Sequence, residues 1–165
     1  MNQLLLVGLG SNVGDRESQI QESIYRIETV GLQFLAISPI YESEPWGVDH
    51  KTSYLNAVAA FSTQLTENQV LEHLQLIEKN MGRNSKSDFK PRTIDLDLLG
   101  FGNQILNEVN FEIPHPRMEV RKFVLQPLQD VCPGWIHPEL QQNADEMLKN
   151  CMDKSWIKVW NSTAQ

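Results

Sequence analysis

The sequence predicts an α+β fold with a mainly antiparallel sheet, on three observations. Residues 94–98 alternate Ile94, Leu96 and Leu98 with Asp95 and Asp97, a period of two that makes a strand with one apolar face. Thr66 and Gln69 form a capping box ahead of Val70, Leu71, Leu74 and Ile77, which share one helical face. Residues 54–62 form a strand that returns after a Pro- and Gly-punctuated loop at 42–50, so it pairs antiparallel with the strand before that loop. At 165 residues the chain has the length of one domain, 1–165.

The elements follow in order. Residues 4–9 are a first buried strand ending in Gly8-Leu9-Gly10-Ser11-Asn12-Val13-Gly14-Asp15, a tight glycine-bearing turn. Asp15 is placed to cap a helix that buries Ile20, Ile24 and Ile27. The turn lacks the Lys-Ser/Thr of a Walker loop and the full Gly-x-Gly-x-x-Gly spacing, which favours a plain turn over a phosphate loop. Gly31 ends the helix, and residues 32–41 predict one second strand. After the 66–69 box the helix closes at Met81-Gly82-Arg83, and residues 83–90 read as a mobile loop carrying cations. Gly102-Asn103 is turn chemistry, so Ile105 is expected to begin a hairpin partner of the Asp strand. Pro114 and Pro116 hold an extended segment around His115, and residues 121–125 open an apolar helix or turn into Pro127-Leu128. Asn143 is placed to cap a short helix to Cys151, and residues 156–160 alternate as a last strand.

Charge narrows the function. A net charge of -7 argues against broad nucleic-acid binding, which depends on a basic surface. Half of the 14 Lys and Arg nevertheless fall at Arg83, Lys86, Lys90, Arg92, Arg117, Arg121 and Lys122, around the Asp pair. A local positive field in an acidic chain suits a small anion in a cleft, against the plainer reading of a solvated charged face. Cys132 and Cys151 have no metal or redox spacing, and the chain opens without a basic, apolar leader, which together predict a cytoplasmic protein. No apolar run approaches the ~20 residues of a membrane span.

Asp95 and Asp97 point the same way, about 7 Å apart along a strand. Solvated acids on a wet face are the competing reading. Asp is disfavoured in strands, however, and like charges on one face repel, so a bound cation offsets a cost that the bare pair leaves standing.

Gly10-Ser11-Asn12, Tyr54-Leu55-Asn56-Ala57, Ile77-Glu78 with Gly82-Arg83, Pro91-Arg92-Thr93-Ile94-Asp95-Leu96-Asp97, and Pro114-His115 with Arg121-Lys122-Phe123 occur together and in order. The set resembles the 6-hydroxymethyl-7,8-dihydropterin pyrophosphokinase family from about residue 4 to 128. The resemblance implies a ferredoxin-like sandwich with packed helices, and an enzyme of folate biosynthesis that transfers diphosphate from ATP to the pterin's hydroxymethyl oxygen and releases AMP. It implies two Mg²⁺ ions on Asp95 and Asp97, with Arg83 and Arg92 reaching the phosphates as catalytic residues. The pterin would lie between Tyr54 and Phe123, with Asn56 reading its polar edge and the loop backbone near Ser43, Glu44 and Trp46 completing it. ATP contacts carry over to Gln75, Glu78, Arg92, Leu98, His115 and Arg121. ATP and the pterin are the partners, with no nucleic acid or membrane, and a monomer is the default for one small domain. The chain departs from the family's pattern in a shorter 83–91 loop offering Lys86 and Lys90 in place of arginines, with Phe89 only loosely matching an adenosine contact. Pro116 stands where Tyr is common, and Asn110 where an Arg can occur.

Two other readings compete with this one. A nucleotidyltransferase would use Gly10-Ser11 and Asp95-x-Asp97, but in that class the two pieces lie about a dozen residues apart and on adjoining elements. An RNA-binding module of the same fold class lacks support from an acidic chain without an aromatic RNA-binding strand motif.

Overall fold

The computed structural model describes residues 1–45, 52–82 and 93–162. The chain runs β1 Gln3–Ser11, α1 Arg16–Thr29, β2 Gln33–Ile37, β3 Tyr41–Ser43, β4 Tyr54–Thr63 and α2 Glu67–Asn80. It continues through β5 Asp95–Phe101, β6 Leu106–Asn107, β7 Glu112–Ile113, a 3₁₀ turn Met118–Val120, α3 Lys122–Val131, α4 Ala144–Asn150 and β8 Ile157–Val159.

Local chemistry sets the helix starts. Asp15 accepts from the Ser18 N–H at 3.1 Å and opens α1. Thr66 and Gln69 close a reciprocal capping box at α2, and Asn143 and Glu146 close a second at α4. The first N–H of α3 finds a carboxylate from far along the chain, Asp153, at 3.1 Å.

The sheet order is β5-β1-β4-β3-β8, with β2 also paired to β4 and every pairing antiparallel. Its two faces carry separate cores. Ile20 and Ile27 of α1 and Val70, Leu74 and Ile77 of α2 pack with Leu5, Phe61 and Leu96 on one face. Val124 and Leu128 of α3 and Met147 of α4 pack with Leu6, Val58 and Leu99 on the other. The expected α+β, ferredoxin-like sandwich is thus present in the segment from β1 to β5, and α3 with α4 adds a second helical layer over its remaining face. Among the described residues no helix is long and apolar enough to cross a membrane.

Two expectations are corrected. Residues 32–41 form two strands, because Pro39 has no N–H to give the ladder. Ser38 bridges the break, its N–H donating to the Val58 carbonyl at 2.9 Å and its Oγ accepting from the Val58 N–H at 3.0 Å. The chain resumes at β3, so Glu42 and Ser43 are strand residues and not loop. Ile105 likewise does not begin a partner of β5, since residues 106–107 pair with 112–113. The edge of β5 is already engaged: the Leu96 N–H donates to Glu78 Oε1 at 2.7 Å, and the Leu99 carbonyl accepts from the His115 N–H at 2.9 Å. The segment 121–125, read as helix or turn, is helix from Lys122. The expected cation-bearing loop at 83–90 lies outside the described residues.

One packing contact is tight enough to test. A Cβ on Gly100 would lie 2.8 Å from Trp135 Cζ2, and Trp135 is a buried ring held by Nε1 donating to the Gly102 carbonyl at 3.2 Å. Gly100→Ala is expected to destabilise the protein by about 1–3 kcal/mol, the usual cost of overpacking, measured as a shift of the urea midpoint at constant slope.

Candidate active site

Several residues singled out in the sequence, among them Asp95, Asp97, Asn56 and Ser43, lie at one end of the sheet on the face that α3 covers. Because β1 lies between β5 and β4, the register places Asp95 opposite Gly10, Gly10 opposite Asn56, and Asn56 opposite Tyr41. The next row of this face places Asp97 opposite Gly8. Leu96 and Leu98 are buried in the α1–α2 core, so the alternation of β5 directs Asp95 and Asp97 to the other side, as expected.

Gly10 leaves the floor bare. A Cβ there would lie 3.3 Å from Asn56 Oδ1 and 3.9 Å from Asp95 Cβ, so any larger residue would fill the space between the carboxylate strand and Asn56. Asn56 is 6 % exposed and donates from Nδ2 to Ser43 Oγ at 2.7 Å, which leaves Oδ1 facing the bare glycine. Tyr41 donates its hydroxyl to Asp130 on α3, tying the row to the helix that carries Phe123. Burial, with the Asp130 carboxylate beside it, pushes the Tyr41 phenol up to about 12, so it stays a donor across the physiological range.

The electrostatics are mixed in sign. His115 Nε2 lies 3.9 Å from Asp97 Oδ1, a distance that makes an ion pair only with a protonated ring. Burial, and after it the charge of Arg121, lowers the His115 pKa to about 4. Burial dominates because the imidazole is largely withdrawn from solvent, so the ring is neutral near pH 7 and the contact is dipolar. Arg121, half-buried, is lowered mainly by burial, with Asp97 and Asp95 opposing that shift and Arg117 adding to it. Asp95, Asp97, His115, Arg117 and Arg121 therefore lie within electrostatic reach of one another.

Comparison with known proteins shows the family of the chain. The family model described as 7,8-dihydro-6-hydroxymethylpterin-pyrophosphokinase (HPPK) matches residues 6–133. The chain belongs to this family. It is similar to the 2-amino-4-hydroxy-6-hydroxymethyldihydropteridine pyrophosphokinase of Bacillus subtilis (strain 168), 33% identical over 161 residues, covering 97% of this chain and 92% of that protein. It is also 40% identical over 137 residues to the Folic acid synthesis protein fol1 of Pneumocystis carinii, covering 83% of this chain but 18% of that protein. Among solved structures it is similar in fold to the Plasmodium falciparum HPPK-DHPS wild type with pteroate. There the TM-score is 0.72 at 14% identity, over 91% of this chain and 42% of that one. The chain thus spans less than half the length of these last two proteins.

Against the HPPK pattern, the structure brings together Asp95, Asp97, Asn56, Ser43, His115 and Arg121. Tyr54 lies opposite Ser43 in register and Phe123 sits in the first turn of α3, both half-buried at the same end. Glu44 directs its carboxylate elsewhere, accepting from the Trp156 N–H at 2.8 Å. Gln75 is exposed on α2. Glu78 is 2 % exposed and braces β5 between the two aspartates through the Leu96 N–H. Leu98 is buried in the α1–α2 core, so a nucleotide could meet it only through its backbone. Trp46, Arg83 and Arg92 lie outside the described residues, as do Lys86, Phe89 and Lys90. The sequence gives Gly10 a place in the motif set but not its position between Asp95 and Asn56, which the register shows, and it gives Tyr41 and Asp130 no role, which their hydrogen bond shows.

The neutral His115 gives a pH prediction. Its folded pKa lies below the unfolded 6.5, so between pH 6.5 and about 4 the unfolded chain binds a proton that the native state does not. Stability is then expected to fall as pH drops through that window. NMR of the metal-free protein should place the His115 midpoint near 4; a midpoint close to the unperturbed value would refute the assignment.

Proposed function

We propose that the chain transfers the terminal diphosphate of ATP to the hydroxymethyl oxygen of 6-hydroxymethyl-7,8-dihydropterin, releasing AMP, as a step of folate biosynthesis. The observation that carries this reading is the bare strip over Gly10, with Asp95 on one side and the Asn56–Ser43 pair on the other. A phosphate acceptor held by Asn56 would present its hydroxyl toward the carboxylates across that strip. Family membership supports the substrates, and the site's polarity supports their placement.

The donor set fits magnesium. Asp95 and Asp97, alternate residues of β5 opposite Gly10 and Gly8, offer two carboxylates on one face. Mg²⁺ prefers such a partial set, completed by water and phosphate oxygens. Two Mg²⁺ ions on Asp95 and Asp97 would neutralise the triphosphate and draw charge from the phosphorus under attack.

The chain's own residues position and exclude. Tyr54 and Phe123 offer flat apolar faces for the pterin ring. Asn56 presents Oδ1 as an acceptor to the ring's amino edge, its orientation fixed by Nδ2 on Ser43. Ser43, Glu44 and Trp46 would supply backbone contacts at the same edge. Arg121, Arg92 and Arg83 carry permanent, forked positive charge suited to phosphate oxygens. His115, neutral, can donate or accept without repelling these cations. Gln75, Glu78 and Leu98 complete the nucleotide side, Glu78 by holding the strand that bears the carboxylates. We take residues 1–165 as one domain acting as a monomer, and the free thiols of Cys132 and Cys151 accord with a reducing, cytoplasmic setting.

Purified protein with ATP, Mg²⁺ and the pterin should form AMP only when the pterin is present, together with a diphosphorylated pterin. ADP as product would change the reaction class. Pyrophosphate, with a nucleotidyl group left on the acceptor, would indicate nucleotidyl transfer. Asp95→Asn and Asp97→Asn should each lower turnover at least about a hundredfold with the fold retained, and near-normal turnover would rule out the metal assignment. Tyr54→Ala and Phe123→Ala should each weaken pterin binding roughly tenfold by calorimetry, and unchanged affinity would dispose of the ring sandwich.

A further inference from the structure

We propose that the C-terminal strand and Trp160, together with Arg16 and Glu42, form a clamp that positions the substrate-facing ends of β3 and β4 from the side of the sheet opposite the site. The clamp lies partly beyond residue 133, where the family match stops. Its functional consequence rests on the pterin site proposed above.

β3 is three residues long, too short to hold its place through one neighbour, yet it carries Ser43, which fixes the orientation of Asn56. β8 supplies a second neighbour, pairing Tyr41 with Val159, Glu42 with Lys158 and Ser43 with Ile157. Tyr41, Ser43, Tyr54 and Asn56 alternate onto the face of the site, so Glu42 falls on the reverse face beneath them.

There the Glu42 carboxylate gathers donors from three parts of the chain. Ser53 Oγ donates to Oε1 at 2.7 Å, Arg16 Nη1 lies 3.4 Å from the same oxygen, and Lys158 Nζ lies 3.2 Å from Oε2. Arg16 Nη1 also donates to the Ser53 carbonyl at 3.0 Å and to Ser53 Oγ at 2.9 Å, so one guanidinium ties the end of β3 to the start of β4. Trp160 covers that guanidinium, 5.1 Å from its ring centroid. The ring is itself held by Nε1 donating to Glu17 Oε2 at 3.0 Å and by its backbone N–H on the Ile40 carbonyl at 2.8 Å. The side chains of Glu42 and Arg16 are 14% and 19% exposed, enough desolvation for their contact to outweigh an ordinary surface pair, whereas Lys158, 66% exposed, acts as a surface charge. None of these groups touches the substrate face, so they act as positioning residues.

The test uses the full chain carrying Trp160→Ala or Glu42→Gln, with Trp160→Phe as the conservative control. Both loosening variants should raise KM for the pterin about tenfold, leave KM for ATP and kcat at saturation within about twofold, and Trp160→Phe should restore most of the loss. Amide exchange should accelerate about tenfold at residues 41–43 and 54–56 and not in the centre of β1. Equal changes in both KM values, or no change in either, would overturn the proposal, as would unaltered exchange in β3. If Trp160→Ala fails to fold, Glu42→Gln decides alone. If the wild-type protein forms no AMP, the pyrophosphokinase reading fails by itself, and the exchange pattern still judges the clamp.

Discussion

The site depends on β1 having no side chain at position 10. A strand between two neighbours sits less than about 5 Å from each, so a side chain at its centre occupies the ground between residues on either side. With Gly10 bare, Asp95 and Asn56 border one open strip, and its width is the spacing of two strand intervals. At Gly8 an added Cβ would meet Leu99 at 3.5 Å, an ordinary contact distance, and Leu99 belongs to the α3 core on this face. One face of β1 thus passes from the polar strip at Gly10 to the α3 core at Leu6.

The rest of the architecture holds the borders of that strip. On one side Glu78 grips β5 from α2, so a buried carboxylate on the far side of the strand fixes the pitch of Asp95 and Asp97. On the other side Tyr41 reaches up to Asp130 on α3 while Glu42, one residue on, reaches down to Arg16 on α1. Neighbouring residues of a single short strand are therefore tied to opposite helical layers. Such a strand cannot tilt without breaking a contact on one face or the other. The coupling explains how three residues can hold a defined orientation next to a polar cleft.

What was legible in the sequence was what is local. Asp15, Thr66 with Gln69, and Asn143 announce helix starts because each acts within three residues of itself, and the structure has all three. The Asp95–Asp97 alternation was legible for the same reason. The division of residues 32–41 was less so, because Ser38 maintains the ladder with a hydroxyl twenty residues from its partner. The destination of Ile105 depended on whether the edge of β5 was free, which is a property of α2 and of His115 and not of the turn at Gly102. Arg16 and Trp160 are 144 positions apart in a numbering that gives no hint of their contact. Of the candidate site, the shared face of Asp95 and Asp97 was readable from their alternation, whereas the position of Gly10 between Asp95 and Asn56 comes from the register and the clamp from side-chain contacts between distant segments.

Electrostatically, the arrangement resolves an apparent contradiction between an acidic chain and an anionic substrate. Bulk charge acts through water and is screened within about 8–10 Å at ordinary ionic strength. Arg121, half-buried, feels the charges of Asp97, Arg117, Asp95 and Glu119, so the local balance of the cleft is set by neighbours such as these and little by distant acids. Keeping His115 neutral matters in that setting, because a third cation beside Arg121 would favour carboxylate pairing over phosphate capture. Burial makes that choice before any ligand arrives: it withholds the proton from the one group whose ordinary titration range overlaps physiological pH. The cleft then carries permanent positive charge at Arg121 and two carboxylates on β5, at the border of the strip that Gly10 leaves bare.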